Sequence, residues 1–314
     1  MNRTGVIYGI NGPVVYIKGN TGFKMAEMVY VGKEKLVGEV IGLDKDRTTI
    51  QVFEETTGIK PGEIVEATGD AISVYLAPGI LHNIFDGIER PLSEIAKIGG
   101  AYISRGTVVD SLDKEKLWDA HMIVKEGDRV SGGSIICEVP ETKAIVHKVM
   151  VPPNLSGVLT KVMPDGQYTI CDTIAVLQLD DGTEKELTMM QKWPIRVPRP
   201  TTKRYPASKP LVTGQRILDT LFPIAKGGTA AIPGGFGTGK TMTQHQIAKW
   251  SDADIIIYIG CGERGNEMTQ VLEDFSKLVD PKTGNPLMER TTLIANTSNM
   301  PVAAREASIY TGVT

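Results

Sequence analysis

The first part of the chain alternates short apolar segments with turns. β-Branched and aliphatic residues form four runs within residues 1–72, separated by glycine, proline, asparagine and aspartate. Closely spaced short strands of this kind favour a small closed barrel or a sandwich. We therefore predict an N-terminal β-barrel over residues 1–72, with strands at Val6–Tyr8, Val14–Ile17, Glu39–Ile41 and Thr48–Phe53.

A connector and a second β-rich region follow. Residues 73–109 are predicted to be a connector that belongs to the last domain, with a helical piece around Ile80–Phe85. Residues 110–190 are again rich in β-branched residues, with turns predicted at Glu126–Val130 and Val162–Gly166. This pattern predicts an inserted, barrel-like β domain over residues 110–190.

The turns of the insertion resemble those of lipoyl and biotinyl carrier domains, in which a lysine on a hairpin is modified. Lys143 is the candidate by position, because it lies in Glu141–Ala144 between the two turns. The alternative is a structural insertion in which Lys143 is a solvated side chain. We favour this alternative because the rest of the chain carries no swinging-arm chemistry.

Residues 191–314 show a different sequence pattern from the β-rich regions before them. Several prolines between residues 194 and 210 predict an extended link, because proline lacks a backbone donor and disfavours helix before it. Beyond the link, apolar strands alternate with helices, which predicts a parallel α/β sheet. The predicted elements are strands at Thr229–Ile232, Ile255–Ile259 and Leu293–Ala295, a helix at Lys240–Trp250, an amphipathic helix through Met268, Val271, Leu272, Phe275, Leu278 and Val279, and a helix whose first turn holds Pro301.

Composition narrows the class of protein. The 314 residues carry 34 basic and 37 acidic side chains, a net charge of −3, which argues against a dedicated nucleic-acid binder. A short basic cluster, Arg196, Arg199, Lys203 and Arg204, is interpreted as a solvated linker. Three widely spaced cysteines indicate reduced cytoplasmic thiols. No signal peptide and no apolar run of about 20 residues is found, so direct membrane insertion is not expected.

One glycine-rich segment carries a phosphate-binding pattern. Residues 234–241 read Gly-Gly-Phe-Gly-Thr-Gly-Lys-Thr and fit G-x-x-x-x-G-K-[ST] without a mismatch. Glycines let backbone N–H groups curl around an anion, and the following helix adds the positive end of its dipole. Lys240 supplies a charge for the β- and γ-phosphates, and Thr241 supplies a hydroxyl for Mg²⁺. The segment therefore predicts an ATP site.

A second polar motif, Gly-Cys-Gly-Glu-Arg-Gly at residues 260–265, follows the apolar strand Ile255–Ile259. Ligands collect at the carboxyl ends of parallel strands, so Glu263 and Arg264 are expected at the same edge as the phosphate loop. Glu263 could orient the attacking water or accept its proton, and Arg264 could stabilise charge on the γ-phosphate. The alternative from spacing alone is a helix cap at Asn266 beside a solvated Glu–Arg pair.

Longer stretches of the chain, including the phosphate loop with its Phe236, resemble the catalytic A subunit of V-type and archaeal-type rotary ATPases. The resemblance covers essentially the whole chain, and the insertion matches the extra domain of that subunit. The stretches that carry it are residues 12–15, 52–58, 213–228, 234–241, 260–267 and 296–306.

This resemblance implies an ion-translocating ATPase or ATP synthase with ATP or ADP as substrate and Mg²⁺ as cofactor. Lys240, Glu263 and Arg264 are then catalytic, and Thr241 contacts Mg²⁺. The implied partners are a non-catalytic B subunit in an alternating hexamer, stalk subunits and a membrane sector that carries H⁺ or Na⁺, with the catalytic subunit on the cytoplasmic side. The implied nucleotide-binding residues are Gly234, Gly235, Phe236, Gly237, Thr238, Gly239, Lys240, Thr241 and Met242.

Two departures from the family pattern matter. Eukaryotic members carry a cysteine where this chain has Thr238, so the chain resembles bacterial or archaeal members. The sequence stops at Thr314, before the family's Mg²⁺-associated aspartate and adenine pocket, and is therefore expected to be an N-terminal fragment that is inactive alone. Two rival functions stay open: a nucleotide-binding ring or assembly component without catalysis, and a hexameric nucleic-acid translocase with the same core fold.

Overall fold

The computed structural model describes residues 3–19, 21–100, 103–201, 203–235, 237–280 and 283–314. These residues form a barrel, an inserted pair of sheets and an α/β region, so the predicted fold class is confirmed. Within the described ranges, no helix combines the length and apolarity that a membrane crossing requires. The three cysteines, Cys137, Cys171 and Cys261, are free thiols.

The N-terminal strands close into a six-stranded barrel in the order β1-β2-β5-β4-β3-β6. Alternate residues point inward, as the two-residue repeat of a strand requires, and the interior is filled with aliphatic side chains such as Val15, Val29 and Ile50. Two of the six strands, β3 and β6, were not predicted. The strands are β1 (Thr4–Asn11), β2 (Val14–Lys18), β3 (Glu27–Val31), β4 (Leu36–Leu43), β5 (Arg47–Val52) and β6 (Ile64–Ala71).

The connector differs from the prediction. Instead of a helix at Ile80–Phe85, Ile84–Phe85 forms a short strand that pairs in parallel with a strand near the end of the chain. Burial of Phe85 and this ladder override the local helical preference, and Pro91 precedes a helix of the connector. The connector elements are β7 (Ser73–Leu76), β8 (Ile84–Phe85) and α1 (Leu92–Gly99).

The insertion consists of two four-stranded sheets that share one apolar core, which includes Trp118, Ile136 and Leu177. The sheet orders are β10-β13-β15-β16 and β12-β11-β9-β14. A following strand, β17 (Gln191–Pro194), pairs with β7 and returns the chain to the connector. The eight strands are β9 (Trp118–Met122), β10 (Arg129–Ser131), β11 (Ile135–Pro140), β12 (Val146–Met150), β13 (Ser156–Val162), β14 (Gly166–Tyr168), β15 (Ala175–Leu179) and β16 (Glu184–Leu187).

Lys143 lies, exposed, in the hairpin turn between β11 and β12. The same turn is fastened to the connector through Glu141, whose Oε1 accepts the backbone N–H groups of Gly79 and Leu81 at 2.8 and 3.1 Å. Its Oε2 lies 3.2 Å from His147 Nδ1. A hairpin held in this way packs against its own chain, which supports the structural alternative for Lys143.

The last region contains a three-stranded parallel sheet in the order β20-β21-β8, flanked by helices. The predicted strand at Thr229–Ile232 is absent: these residues have no regular structure and no strand partner among the described residues. A strand persists only where a neighbour accepts its hydrogen bonds. The elements are β18 (Pro210–Leu211), α2 (Arg216–Leu221), β19 (Ile224–Ala225), α3 (Lys240–Trp250), β20 (Ile256–Glu263), α4 (Gly265–Lys277), a 3₁₀ helix (Leu287–Arg290), β21 (Thr291–Thr297) and α5 (Val302–Val313).

The interpretation of the basic cluster as a solvated linker is wrong for Arg196. Its Nε and Nη2 donate to the two carboxylate oxygens of buried Glu39, both at 2.7 Å. The guanidinium also reaches Glu306 at 3.4 Å and lies 4.9 Å from the Tyr310 ring centre. Arg196 therefore joins the barrel to α5, because a buried carboxylate needs a charged partner.

Candidate phosphate-binding site

The glycine-rich loop runs directly into α3. Gly237 and Gly239 have φ angles of 77° and 85°, in the left-handed region that residues with a Cβ avoid, and Gly239 is the N-cap of α3. A Cβ on Gly234 would lie 2.4 Å from the Thr238 Oγ1, so this glycine permits a close turn. The helix begins at Lys240, as predicted. Phe236 lies outside the described residues, and exposed Gly235 and Met242 flank the turn and the helix start.

Lys240 folds back over the loop. Its Nζ donates to the carbonyl oxygens of Gly234 and Gly235, the second at 3.1 Å. Thr238 closes the same turn by donating from Oγ1 to Gly235 O at 2.9 Å. The first N–H groups of α3 have no partner inside the helix and point along its positive end. The loop therefore presents one ammonium group and several backbone donors to an anion.

The residues present fit a Mg²⁺ ion held partly by a nucleotide. Among the described residues no group of three or more histidine, cysteine, aspartate or glutamate side chains could hold a metal by itself. Mg²⁺ commonly takes only one or two protein oxygens and completes its shell with phosphates and water. Thr243 donates its hydroxyl to Gly239 O at 3.0 Å, whereas the Thr241 hydroxyl makes no such bond to any described residue. Thr241 is thus the better oxygen donor of the first turn.

The end of β20 carries a bulge that directs Glu263. The pairing with β21 skips Gly262: Cys261 faces Asn296 and Glu263 faces Thr297. Gly262 has a φ of 80°, and a Cβ there would lie 3.3 Å from the Arg305 side chain. One extra residue re-aims the side chain that follows it, so the bulge sets the direction of the Glu263 carboxylate.

Arg264 is the N-cap residue of α4, and its side chain is exposed. Its backbone N–H donates to the Glu267 Oε2 at 3.3 Å. The alternative that Asn266 caps this helix is wrong, because Asn266 lies inside the first turn and its Oδ1 accepts the Glu267 N–H. The exposed guanidinium is therefore carried by the rigid start of a helix, beside Glu263.

Two residues that the sequence patterns did not single out complete the site. Tyr258 lies on β20 and its Oη is 3.2 Å from the Glu263 Oε1. His245, on α3, places its Nε2 3.0 Å from the same Oη. Burial raises the pKa of Glu263 above its ordinary value, and the hydrogen bond from Tyr258 opposes this shift. A histidine five residues after the loop lysine and a tyrosine five residues before Glu263 were the available signals.

The two predicted halves of the site meet through these residues. No hydrogen bond or ion pair found among the described residues joins Lys240 directly to Glu263. Instead, the chain of contacts runs from Glu263 to Tyr258 and on to His245, five residues or about 7.5 Å along α3 from Lys240. α3 therefore lies on the face of the sheet to which the Tyr258 side chain projects. A γ-phosphate between Lys240 and Glu263 stays a prediction.

Three family models match successive parts of the chain. The β-barrel domain of the ATP synthase alpha/beta family matches residues 7–69. The ATP synthase alpha/beta subunit barrel-sandwich domain matches residues 109–196. The nucleotide-binding domain of the ATP synthase alpha/beta family matches residues 214–314, which include the phosphate loop and Glu263.

Comparisons over the whole of this chain agree with the domain matches. The chain is 59% identical to the V-type ATP synthase alpha chain of Halothermothrix orenii over 314 residues, all of this chain and 53% of the relative. It is 59% identical to the A subunit of the A-type ATP synthase of Methanopyrus kandleri over 310 residues, 99% of this chain and 52% of the relative. The V-type ATP synthase alpha chain 2 of Clostridium tetani is 60% identical over 310 residues, with the same two coverages. The chain thus spans about half the length of the curated relatives it matches.

Proposed function

We infer the function from one premise: the chain belongs to the family of V-type and A-type ATP synthase A subunits, also named alpha chains. We propose that it is the catalytic, nucleotide-binding subunit of a rotary ATPase that couples ATP hydrolysis or synthesis to the transport of H⁺ or Na⁺. The observation that carries this proposal is the loop with two left-handed glycines that leads straight into α3 at Lys240.

Lys240 and the loop bind the phosphates in this proposal. The ammonium group lies over the loop at Gly234 and Gly235, where it can exchange carbonyl oxygens for the more strongly attracting β- and γ-phosphate oxygens. Mg²⁺, held by Thr241 together with the nucleotide, would neutralise phosphate charge. Nucleotide affinity should therefore depend on Lys240 more than on any other side chain of the loop.

Glu263 and Arg264 act on the reacting groups. A partly buried carboxylate with a raised pKa is suited to orient the attacking water and accept its proton. The exposed Arg264 guanidinium, at the start of α4, can approach the γ-phosphoryl oxygens and stabilise their charge. These roles concern the transition state, so they affect turnover more than affinity.

The proposed partners follow from the family. A non-catalytic B subunit would alternate with this one in a hexameric ring on the cytoplasmic side of the membrane. Stalk subunits would connect the ring to a membrane sector through which the ion passes. No nucleic acid is expected as a partner, because the net charge of −3 supplies no concentrated positive surface.

The test separates binding from chemistry. Fluorescent ATP is titrated against the 314-residue chain and its Lys240→Ala and Glu263→Gln variants. Lys240→Ala should weaken binding by about 10- to 100-fold, since charge-assisted hydrogen bonds are lost. Glu263→Gln should stay within a few-fold of the native chain. Equal loss of affinity in both variants would contradict the assignment of roles.

Turnover is measured in a chimera in which these 314 residues replace the matching part of the Halothermothrix orenii alpha chain. With Mg²⁺-ATP, Glu263→Gln should lower the rate of phosphate release by about 10²–10⁴-fold. A native chimera that binds ATP tightly without turnover would favour a structural nucleotide site. Stimulation of its turnover by a polynucleotide would favour a translocase.

A further inference from the structure

One phenol links α3 to the end of β20, and the roles proposed above do not use it. His245 is the single buried side chain of α3, every residue of which the structure describes, and its Nε2 lies 3.0 Å from the Tyr258 Oη. The same Oη lies 3.2 and 3.4 Å from the two carboxylate oxygens of Glu263. The phenol therefore contacts both the helix that begins at Lys240 and the carboxylate proposed to act on water.

The protons that these groups carry determine which group donates and which accepts in each hydrogen bond. An ionised carboxylate can only accept, so the Tyr258 hydroxyl donates its one proton to Glu263. The remaining contact then requires His245 to donate from Nε2–H to the phenol oxygen, which assigns the imidazole tautomer. If Glu263 carries a proton, its O–H can donate to the Tyr258 Oη, and the phenol then donates to the Nε2 of the other imidazole tautomer. The hydrogen-bond chain is thus complete in either state of Glu263, and the orientation of the carboxyl group is defined in both.

The Tyr258 ring is held on two sides by aromatic neighbours. Its centre lies 5.6 Å from the His245 ring and 6.0 Å from the Phe275 ring, with interplanar angles of 65° and 75°. Edge-to-face packing of this kind restricts a ring to one orientation. Phe275 is fully buried on α4, so the Tyr258 ring and its Oη are positioned by residues of two helices, α3 and α4.

We propose that Tyr258 is a positioning residue that holds the Glu263 carboxylate in one orientation and, through His245, ties this orientation to the position of α3. The proposal rests on the proposed function, because it assumes that Glu263 acts on water. A phosphate bound at the start of α3 then acts on the same helix that carries His245. Occupancy of the loop and orientation of the carboxylate are linked by two hydrogen bonds.

Charged neighbours affect the pKa values of the hydrogen-bonded residues Glu263, Tyr258 and His245. Glu267 of α4 adds negative charge near both Tyr258 and Glu263. On the α3 side, Lys249 lies beside His245 and pairs with Asp274 of α4 at 2.8 Å. Burial, and after it the positive charge of Lys249, lower the pKa of His245 below its ordinary value. Because His245 is itself titratable, the Glu263 carboxyl group has to be followed by its own resonance.

The first experiment follows the Glu263 carboxyl group by ¹³C NMR in the 314-residue chain with labelled glutamate. The resonance is assigned by its loss in Glu263→Gln. Tyr258→Phe keeps the ring and removes the hydroxyl, and it should raise the Glu263 midpoint by about 0.5 to 1 pH unit because the stabilising donor is lost. Tyr168→Phe is the matched control, since it removes a hydroxyl bonded to Pro164 O in the insertion. An unchanged midpoint in Tyr258→Phe would overturn the proposal.

Substitutions at His245 test the second link. His245→Gln retains an N–H donor near the Nε2 position, whereas His245→Leu retains volume without a donor. The Leu variant should shift the Glu263 midpoint upward by a smaller amount than Tyr258→Phe, and the Gln variant should restore it. Equal midpoints in the Leu and Gln variants would remove His245 from the proposal. Thermal unfolding of every variant confirms that it is folded.

The second experiment measures turnover in the chimera described above. Tyr258→Phe should lower kcat about 10-fold, leave KM within two-fold and move the acidic limb of the pH–rate profile to higher pH. An increase in kcat would instead mean that Tyr258 restrains Glu263 in an unproductive orientation, against the proposal. If the native chimera does not hydrolyse ATP, the proposed function fails while the carboxyl titration still decides whether Tyr258 positions Glu263.

Discussion

The barrel and the phosphate-loop region are stabilised in different ways. Every strand of the barrel pairs with two neighbours, and its interior is aliphatic, with Val15, Val29 and Ile50 fully buried. In the phosphate-loop region α2 buries no residue, and α3 buries only His245, which is hydrogen-bonded. Apolar burial therefore stabilises the barrel, whereas α3 contributes only partly buried Ala248 to an apolar core and is held by polar contacts such as that between His245 and Tyr258.

Buried and partly buried carboxylates occur both with and without a charged partner, and in the nucleotide-binding region buried Asp280 pairs with Arg290 at 3.2 Å. In the barrel, Glu27 pairs with Arg3 and Glu39 pairs with Arg196. In the connector and the nucleotide-binding region, Glu89 and Glu263 have no ion pair among the described residues, and burial raises the pKa of each. An acid paired with a cation is stabilised in its charged form, whereas burial without a charged partner raises the pKa of an uncompensated acid.

The largest expected effect is on the free energy of unfolding, and it distinguishes the buried barrel core from the exposed side of β20. Ile50→Ala deletes fully buried atoms in the barrel and should lower the free energy of unfolding by about 2–5 kcal/mol. Ile257→Ala is the matched control, because Ile257 is 47% exposed on β20 and should cost much less. Hydrogen exchange of barrel amides measures the first effect, and exchange of β20 amides measures the second. Similar costs at the two sites would break the comparison.

Arg196 should give the next largest effect. Arg196→Leu leaves the Glu39 carboxylate buried without its cation and should destabilise the barrel by about 2–3 kcal/mol, below the usual range for a buried pair because Arg196 is one-third exposed. Arg199→Leu, in the same linker, loses a contact 4.6 Å from the Trp193 ring centre and should cost about 1 kcal/mol or less. Urea unfolding of both variants and of the Arg196→Leu/Glu39→Leu double variant is the measurement. A double variant no more stable than the single one would argue against an unpaired charge as the cause.

A pH effect should distinguish an uncompensated acid from a paired one. Burial raises the pKa of Glu89 to about 8, against an ordinary value of 4.5, although the Tyr75 N–H and Ser111 donate to it. The folded chain keeps this proton up to about pH 8, and the unfolded chain releases it near 4.5. The stability that depends on the Glu89 proton is therefore fully present below about pH 4.5 and is lost as pH rises toward 8.

Glu89→Gln should remove this pH dependence. Between pH 6 and pH 8 its free energy of unfolding should exceed that of the native chain by roughly 1–2 kcal/mol. Glu94→Gln, on the exposed side of α1, is the control and should change neither the slope nor the stability. Denaturant unfolding at pH 6, 7 and 8 provides the comparison. Parallel pH profiles for the native chain and Glu89→Gln would show that Glu89 is ionised in the fold.

The smallest expected effect is none at all. If the insertion is a packing element like the barrel, the chain expressed with lipoylation and biotinylation enzymes should have the mass of its unmodified sequence. The hairpin of Lys143 is fastened to the connector through Glu141, which opposes its entry into a modifying enzyme. A mass increase that maps to Lys143 would assign chemistry to the insertion.

Local patterns determined much of this protein. The glycine spacing and the lysine at 240 predicted both the loop and the first residue of α3, since left-handed glycines and an N-terminal helix turn are local requirements. The continuous apolar run before residue 260 predicted a parallel strand with both faces covered; the parallel pairing is confirmed, but one face is open, since Ile257 is 47% exposed. The alternation of short apolar segments with turn residues predicted four strands of the barrel. These features depend only on residues close in sequence.

Tertiary structure decided the rest. Ile84–Phe85 became a strand, and Thr229–Ile232 did not, because a ladder needs a partner that can lie about two hundred residues away. The direction of Glu263 depends on the Gly262 bulge, which exists only against β21. Tyr258 and His245 meet because α3 packs on β20, which no local pattern records. Hydrogen bonds between distant residues form only once the chain has closed those distances, so the sequence indicated candidate groups and the fold decided which of them lie together.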